Sequence, residues 1–222
     1  MVKRSLLLTL ALIAVGCAEP IARNLDELFR QGPQYLDPET MEPYSGPVFR
    51  TSFNDSTQVV LRVNLIDGRF HGDFEDFDPE VNNAFLVNES LGSYQIGTYQ
   101  DGQLEGPFEN FYPSGVLRGH GTYVAGVFHG PFETYYENGQ LRFKGTYVDG
   151  ELDGPSERYN EGGQLTGRSN HTVGELNGLS ETYYANGVLM QRGEYYMGNR
   201  CGEWIVFAVD PRTYDPCPDT ED

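Results

Sequence analysis

The stretch HGPFETYYENGQLRFKGTYVDGEL, residues 129–152, decides the fold because its pattern recurs at a fixed spacing. From residue 105 onward the chain divides into four consecutive units of 24 residues, and each unit carries glycines at the same three places. The three columns are Gly106, Gly130, Gly154, Gly178 and Gly202; Gly115, Gly139, Gly163 and Gly187; and Gly126, Gly150, Gly174 and Gly198. Self-similarity of this kind is typical of a repeat architecture.

Each unit predicts two antiparallel strands. Asn138-Gly139 and Asn186-Gly187 are typical of two-residue hairpin loops, whose two central residues both need a positive φ. We interpret Asp101-Gly102 and Asp149-Gly150 as the turns at the other edge of the sheet. The sequence therefore predicts an all-β fold, a single-layer antiparallel β-meander of 24-residue hairpin repeats that gains two strands with every unit.

A two-residue loop at Asn138-Gly139 also fixes which residues face each other across the hairpin. It places an acid opposite a potential base in every unit: Glu109–His120, Glu133–Lys144, Glu157–Arg168 and Glu181–Arg192. Phe132 then faces Gly145, Tyr136 faces Leu141 and Tyr135 faces Arg142. Exposed acid–base pairs contribute only about 0–1 kcal/mol each, so we expect them to set the register more than the stability.

Strand alternation places an aromatic column on the face opposite these charges. It comprises Phe108, Tyr112, Phe132, Tyr136, Phe143, Tyr147, Tyr184, Tyr195 and Trp204. A single sheet has no second layer to bury such a face, so it must be covered by curling, by the N-terminal segment or by a partner. Two interpretations stay open: the aromatic side chains stack as a core of their own, or they form a binding surface.

One unit departs from the pattern. In residues 153–176, Ser156, Asn160, Ser169 and His171 stand where the other units have an aromatic residue, Tyr, Gly and Tyr. We expect a less apolar face there, which argues against a binding surface in that unit. Upstream, residues 34–104 repeat the pattern in degraded form with an insertion near 78–92, and residues 105–207 hold the regular units.

The N-terminus has the features of a bacterial lipoprotein leader. Residues 1–17 read MVKRSLLLTLALIAVGC, a basic start followed by an apolar run of about ten residues that is too short to span a bilayer. The segment 14–17, Ala-Val-Gly-Cys, resembles the lipobox, which implies a signal peptide over residues 1–16 and lipidation of Cys17 with more than one acyl chain. An ordinary secretory signal with an incidental cysteine is the alternative.

The expected location is the bacterial cell envelope, with the membrane contacted through the lipid anchor. Residue 18 is Ala and not Asp, which in a Gram-negative source indicates the outer membrane. Residues 17–33 are interpreted as a lipidated tether, in which Asn24 caps a short helix through Leu25–Gln31.

The acidic tail, residues 208–222, follows the repeats, and one of its residues offers a disulfide partner. Cys201 and Cys217 are the cysteines that remain after Cys17, and an even pair in an oxidising compartment favours a disulfide. It would close a loop of about 17 residues and stabilise the last edge of the sheet by about 3 kcal/mol. Two free thiols are the alternative.

The charge of the chain excludes one class of partner. The formal net charge is −18, and of the 15 Lys and Arg, Lys3 and Arg4 leave with the leader, so 13 face 33 acidic residues. Such a surface repels phosphate, so we expect no nucleic-acid partner. The histidines are scattered without further ligands at suitable spacing, so we predict no metal site and no cofactor: His71, His120, His129 and His171. We predict no enzyme, because no nucleophile, acid or base recurs in a motif.

The pattern G-x-aromatic-E-x-Y-Y-x-N-G-x-L…G-x-Y-x-x-G, from Gly46 to Phe207, resembles the MORN repeat variant common in bacteria. The resemblance implies a β-meander repeat protein. Many bacterial members carry an antitoxin label, which does not suit an exported lipoprotein. The leading hypothesis is a membrane-anchored, non-enzymatic scaffold that presents its sheet to an unidentified protein or to the envelope. The alternative is carbohydrate or peptidoglycan binding through the aromatic face.

Overall fold

The computed structural model describes residues 21–52, 55–77, 94–207 and 212–218, and its regular structure there is almost entirely β. The predicted signal peptide, Cys17, the insertion near 78–92 and most of the acidic tail lie outside the described residues.

Within these ranges the fold consists of twenty strands and one short 3-10 helix, Leu25–Glu27. The first nine strands are β1 Arg23–Asn24, β2 Phe29–Gln31, β3 Gln34–Leu36, β4 Gly46–Thr51, β5 Val59–Ile66, β6 Arg69–Asp76, β7 Tyr94–Gln100, β8 Gln103–Leu104 and β9 Gly106–Phe111. The others are β10 Leu117–Val124, β11 Val127–Phe128, β12 Gly130–Tyr135, β13 Leu141–Val148, β14 Glu151–Leu152, β15 Gly154–Tyr159, β16 Leu165–Thr172, β17 Glu175–Tyr183, β18 Leu189–Tyr196, β19 Asn199–Val206 and β20 Arg212–Thr213.

The predicted meander is confirmed. From β4 to β19 the strand pairs follow the order of the chain and are all antiparallel. At three places two successive strands pair with the same preceding strand and not with each other: β8 and β9 with β7, β11 and β12 with β10, and β14 and β15 with β13. Among the described strands the exception to the antiparallel rule is β1, which pairs parallel to β4 through Arg23–Val48 and Asn24–Phe49. A second, two-stranded sheet is formed by β2 and β3.

The two edges of the sheet carry different turns. At one edge, Asp149 and Gly150 have φ values of 50° and 87°, and Val148 pairs with Glu151, so this loop has two residues. The Gly150 N–H also donates to the Phe128 carbonyl of the preceding unit at 2.9 Å. The same bond recurs as Gly102–Phe70, Gly126–Leu104, Gly174–Leu152 and Gly198–Leu176. This ladder of bonds joins each of these units to the one before it.

At the other edge, the prediction of a two-residue loop at Asn138-Gly139 is wrong. The Tyr136 N–H donates to the Gln140 carbonyl and the Gly139 N–H donates to the Tyr136 carbonyl, each at 2.8 Å, which defines a three-residue loop. Within this loop Gly139 alone takes a positive φ. Asn138 does not need a positive φ, because its side chain stabilises the turn by accepting the Gln140 N–H.

The pairing near that loop changes accordingly. Tyr135 lies opposite Leu141, so the expected pairs Tyr136–Leu141 and Tyr135–Arg142 are wrong. Farther from the loop, Phe132–Gly145 and Glu133–Lys144 are paired as predicted, because the bulge that the longer loop introduces lies between Thr134 and Tyr135.

A second irregularity bends each strand at the junction of two units. Between the pairs Tyr123–Phe128 and His120–Glu133, β10 advances three residues while its partner advances five. Gly130 lies in the two-residue excess with a φ of 90°, a conformation that favours glycine. Equivalent glycines with positive φ stand at the other junctions: Gly72, Gly106, Gly154, Gly178 and Gly202.

The bend closes the core without a second layer. It brings Tyr123 and Phe128 against Phe108 and Phe132, with the Phe108 and Tyr123 ring centroids 5.3 Å apart and those of Phe128 and Phe132 4.9 Å apart. Glycine makes room for the rings, since a Cβ on Gly121 would lie 2.9 Å from the Phe132 ring. Phe108 and Phe132 of the aromatic column therefore lie in a core.

The N-terminal segment is part of this core. Leu25 and Leu28 are buried in the same cluster as Val48, and the Asn24 side chain caps the helix by accepting the Asp26 N–H at 3.1 Å. The predicted helix through Gln31 is wrong beyond Glu27, because Phe29–Gln31 pairs with β3 as a hairpin.

The C-terminal segment covers the far edge of the sheet. The short strand β20 pairs with β19 through Glu203–Thr213 and Trp204–Arg212. The Gly202 N–H donates to the Asp215 carbonyl at 2.8 Å, and Cys201 and Cys217 form a disulfide.

Candidate functional site

A row of charged residues crosses the sheet on the face opposite the core. Each member is paired with the next across neighbouring strands, and we call this set the charged row. It runs Arg62, Glu75, Ile96, Glu109, His120, Glu133, Lys144, Glu157, Arg168, Glu181, Arg192. The four predicted acid–base pairs are confirmed as strand pairs, but the sequence reasoning missed that the row continues from unit to unit.

The ion pairs of the row join the units. His120 Nε2 lies 3.4 Å from Glu133 Oε2, and Lys144 Nζ lies 2.8 Å from Glu157 Oε2, in each case with the base on the earlier unit. The hydrogen bond from Lys144 is the main reason why the pKa of Glu157 lies below its ordinary value. Acid–base pairing therefore links neighbouring units as well as the two strands of one hairpin.

Glu181 is the most buried acid of the row. Its side chain is 4% exposed and lies between Arg168 and Arg192, whose Nε atom is 3.3 Å from Glu181 Oε1. The hydrogen bond from Arg168 lowers the pKa of Glu181, and burial opposes that shift. Charge pairing thus allows an acid to be buried on the charged face.

A tyrosine beside each of three acids completes the row. The hydroxyls of Tyr135, Tyr159 and Tyr183 donate to Glu133, Glu157 and Glu181, respectively. Burial, followed by the hydrogen bond to Glu133, raises the pKa of Tyr135 to about 12. The carboxylates of Glu133, Glu157 and Glu181 are therefore bonded to neighbours of the same sheet.

The row is interrupted at Ile96. The second long strand of the other units supplies a base at this place, and β7 supplies an isoleucine between Glu75 and Glu109. Glu75 retains Arg62, with 3.7 Å between Nη1 and Oε2. Glu109 is exposed and has no ion pair within the part of the chain that the structure describes.

A groove of about 790 Å³ lies at this interruption, on the charged face of β4 to β9. Phe49, Tyr94 and Ile96 provide apolar lining, and Arg62, Asp73, Glu75 and Glu109 provide charge. Burial raises the pKa of Tyr94, and the carboxylates of Glu75 and Glu109 raise it further. A concave site with apolar walls and a few converging polar groups is the common form of a ligand site, which makes this groove the candidate site.

The structure distributes the nine residues of the predicted binding face between the interior and the surface. Phe108, Phe132 and Trp204 are 2%, 5% and 1% exposed, so the structure places them in the interior and not on a surface that a ligand can reach. Five of the others are half-buried: Tyr112, Tyr136, Phe143, Tyr147 and Tyr195. Tyr184 is 39% exposed and contacts Phe207.

Two of the half-buried tyrosines bridge units. The Tyr112 hydroxyl donates to the Tyr135 carbonyl and the Tyr136 hydroxyl donates to the Tyr159 carbonyl, each at 2.8 Å. The guanidinium of Arg142 lies 5.6 Å from the centroid of the Tyr136 ring. These contacts give Tyr112 and Tyr136 a structural role.

The unit 153–176 has a polar interior, as its sequence predicts. Ser156 and His171 are buried, and Ser156 Oγ lies 3.2 Å from Ser169 Oγ and 3.4 Å from His171 Nδ1. Burial lowers the pKa of His171, and the nearby Arg158 lowers it further.

Two other kinds of feature are absent from the described residues. No group of three or more His, Cys, Asp or Glu in those ranges could hold a metal ion. No helix in them is long and apolar enough to cross a membrane.

Sequence reasoning missed the groove residues Phe49, Tyr94 and Ile96. A signal is present in the sequence, because alignment of the units by their glycine columns places Ile96 where His120 and Lys144 stand. The insertion near 78–92 obscures this signal, since it interrupts the register of that unit.

Two solved structures are similar to parts of this chain at low identity. The chain of a mutant of S. aureus TarM, in complex with Fondaparinux, alpha-GlcNAc-glycerol and UDP, is 10% identical with a TM-score of 0.29; 43% of this chain covers 19% of it. The GtfA/B complex bound to UDP and GlcNAc is 13% identical with a TM-score of 0.24; 63% of this chain covers 30% of it. Such scores carry no argument about function.

No curated protein matches this chain. A family model described as MORN repeat variant matches residues 104–125, 128–149 and 176–195. Three units of this β-meander are therefore similar to the MORN repeat variant.

Proposed function

We propose that this protein is a membrane-anchored, non-enzymatic scaffold that presents a repeat sheet for protein or envelope contacts. The observation that carries the proposal is the use of the recurring side chains. Phe108, Phe132 and Trp204 of the aromatic column are buried. Three of the recurring acids, Glu133, Glu157 and Glu181, are bonded to bases and tyrosines of the same sheet. The feature that remains available for contacts is the repeating outer surface of the sheet, which has eighteen strands.

Turn residues give this surface a regular outer edge. The two-residue loops and the residues beside them project exposed side chains at this edge, among them Val148 and Val173. Exposed apolar side chains that recur along one edge favour contacts with other macromolecules.

The anchoring part of the proposal rests on the leader and Cys17. A diacylated or triacylated cysteine holds a protein stably on a membrane, whereas one chain holds it only marginally. Expressed in a bacterial host with a radiolabelled fatty acid, the full chain is expected to pellet with membranes and to carry label. Cys17→Ser should abolish both results. A Cys17→Ser protein that is still pelleted and labelled contradicts the anchor.

The scaffold part is tested by photo-crosslinking in the same host. A photoreactive amino acid replaces Val148 or Val173 in the full chain, and adducts are identified by mass spectrometry. We expect the same envelope partner at both positions and no adduct from a matched control at Val48, which is buried. Adducts at neither exposed position would contradict the proposal.

A further inference from the structure

We infer that the groove over β4 to β9 binds an arginine side chain of a partner protein, whose guanidinium completes the charged row at Ile96. The inference rests on the proposed scaffold function and gives the chemistry of one partner contact.

The first argument is the alternation of charge along the row. In the regular units one base lies between two acids, as Lys144 does between Glu133 and Glu157. Ile96 is paired with Glu75 on one side and with Glu109 on the other. Since neighbouring strands are about 4.8 Å apart, a cation above Ile96 would have a carboxylate within reach on each side.

The second argument is the balance of charge in the groove. Asp73, Glu75 and Glu109 line it, against one base, Arg62. Asp73 accepts a hydrogen bond from the Thr98 hydroxyl at 3.0 Å, and Glu75 is 3.7 Å from Arg62. With Glu109 exposed and without an ion pair among the described residues, the groove has an excess of negative charge that a cation would neutralise.

The third argument is the apolar lining. Phe49, Ile96 and Tyr94 offer a surface for the methylene stem of a basic side chain, and Tyr94 is held in place by Phe77 and Phe111, with ring centroids 4.7 and 5.3 Å away. Arginine fits better than lysine, because its planar guanidinium stacks on aromatic rings and donates to two carboxylates at once.

The groove discriminates against other ligand classes. Three carboxylates repel a phosphate or a nucleic acid. The volume of about 790 Å³ exceeds what one side chain needs, so the residues flanking the arginine would also be accommodated.

The test uses the full chain in detergent and two blocked, fluorescein-labelled peptides, Gly-Leu-Arg-Leu-Gly and the same peptide with citrulline for arginine. Fluorescence anisotropy should give a Kd at least about tenfold lower for the arginine peptide, and added salt should weaken that binding. Citrulline retains the size and loses the charge, so equal binding of both peptides overturns the inference.

Variants locate the binding. Glu109→Gln should weaken the arginine peptide about fivefold, the equivalent of about 1 kcal/mol, the upper end of what an exposed ion pair contributes. Ile96→Arg should abolish binding by supplying the guanidinium from the chain itself. Glu157→Gln is the matched control, because this acid already has Lys144, and it should leave Kd unchanged within about twofold. If Ile96→Arg fails to fold, Glu109→Gln decides, since its side chain is exposed.

Failure of this inference can be told apart from failure of the scaffold proposal. Crosslinked envelope partners in the absence of arginine-selective peptide binding would leave the scaffold and overturn the groove assignment. Arginine-selective binding that Glu157→Gln weakens as much as Glu109→Gln would also overturn it, because the attraction would then belong to the whole acidic face.

Discussion

The units 129–152 and 153–176 share a backbone and differ in what lies inside it. In the first, Phe132 faces Gly145 and belongs to the aromatic core; in the second, Ser156 faces Ser169 and bonds to it. Both have the same loop, the same bend and the same bond to the preceding unit. The difference teaches that glycine turns and strand pairing define the repeat, while its interior can be aromatic or polar.

The consequence is a division of the core. The large aromatic cluster extends from Leu25 to Tyr147. Beyond the polar unit, Trp204 packs edge-on against Tyr195 and Tyr214, next to the Cys201–Cys217 disulfide. We therefore expect the two ends of the array to depend on different contacts.

The largest effect is expected from the core position itself. Phe132→Ala should reduce the free energy of unfolding by about 3–5 kcal/mol, because it removes a buried ring and leaves a cavity. Ser156→Ala, at the equivalent position of the polar unit, should cost less than about 1.5 kcal/mol, the value of one hydrogen bond. Urea unfolding measures both, and equal losses would contradict the division of the core.

Removal of the disulfide should act on the C-terminal end. Cys201→Ser with Cys217→Ser should cost about 3 kcal/mol, since a loop of this length is no longer closed in the unfolded chain. Intact mass with and without reductant first establishes the bond in the purified protein, and two alkylatable thiols in the native protein would refute it. Hydrogen exchange should then rise in β19 and not in β12, and a uniform rise would contradict a local clip.

Glu181→Gln tests the charge pairing that allows an acid to be buried beyond the aromatic core. It should cost about 1–2 kcal/mol at pH 7, because both arginine partners are half exposed and stay solvated. The pKa of Glu181 is lowered in the folded chain, so its contribution is full above the unfolded value, about 4.3, and is lost as the pH falls through the folded value. The acid loss of stability should therefore be smaller in Glu181→Gln than in the parent, and identical pH profiles would contradict this role.

His171→Tyr restores the tyrosine that the other units have at this position. It should change the free energy of unfolding least, by about 0.5–1 kcal/mol. The pKa of His171 is lowered by burial, so its contribution to stability is full above the unfolded value, about 6.5, and is lost as the pH falls through the folded value. Thermal unfolding between pH 7 and pH 5 should show a slope in the parent that the variant lacks. A slope of equal size in the variant would assign it to other groups.

The sequence predicts the meander because glycine turns and strand alternation are local rules, and Phe132–Gly145 is paired as they require. The loop at Asn138-Gly139 has three residues and not the predicted two. The Asn138 side chain stabilises this longer loop by accepting the Gln140 N–H, so a second residue with a positive φ is not needed. The burial of Phe108 and Trp204 does not follow from the sequence, since it depends on the bend at each junction, which hydrophobic alternation does not encode. The groove at Ile96 depends on an isoleucine that replaces the base in one unit only. A repeat pattern predicts the residues that the units share and gives no information about such a single replacement.

Hydrogen exchange of the turn glycines tests the common backbone most directly. The N–H groups of Gly126, Gly150, Gly174 and Gly198 each donate at 2.9 Å to the preceding unit. We predict that all four exchange slowly in the native chain, including Gly174 at the end of the polar unit. Protection of Gly126 and Gly150 with free exchange at Gly174 would contradict the claim that one frame carries both kinds of interior.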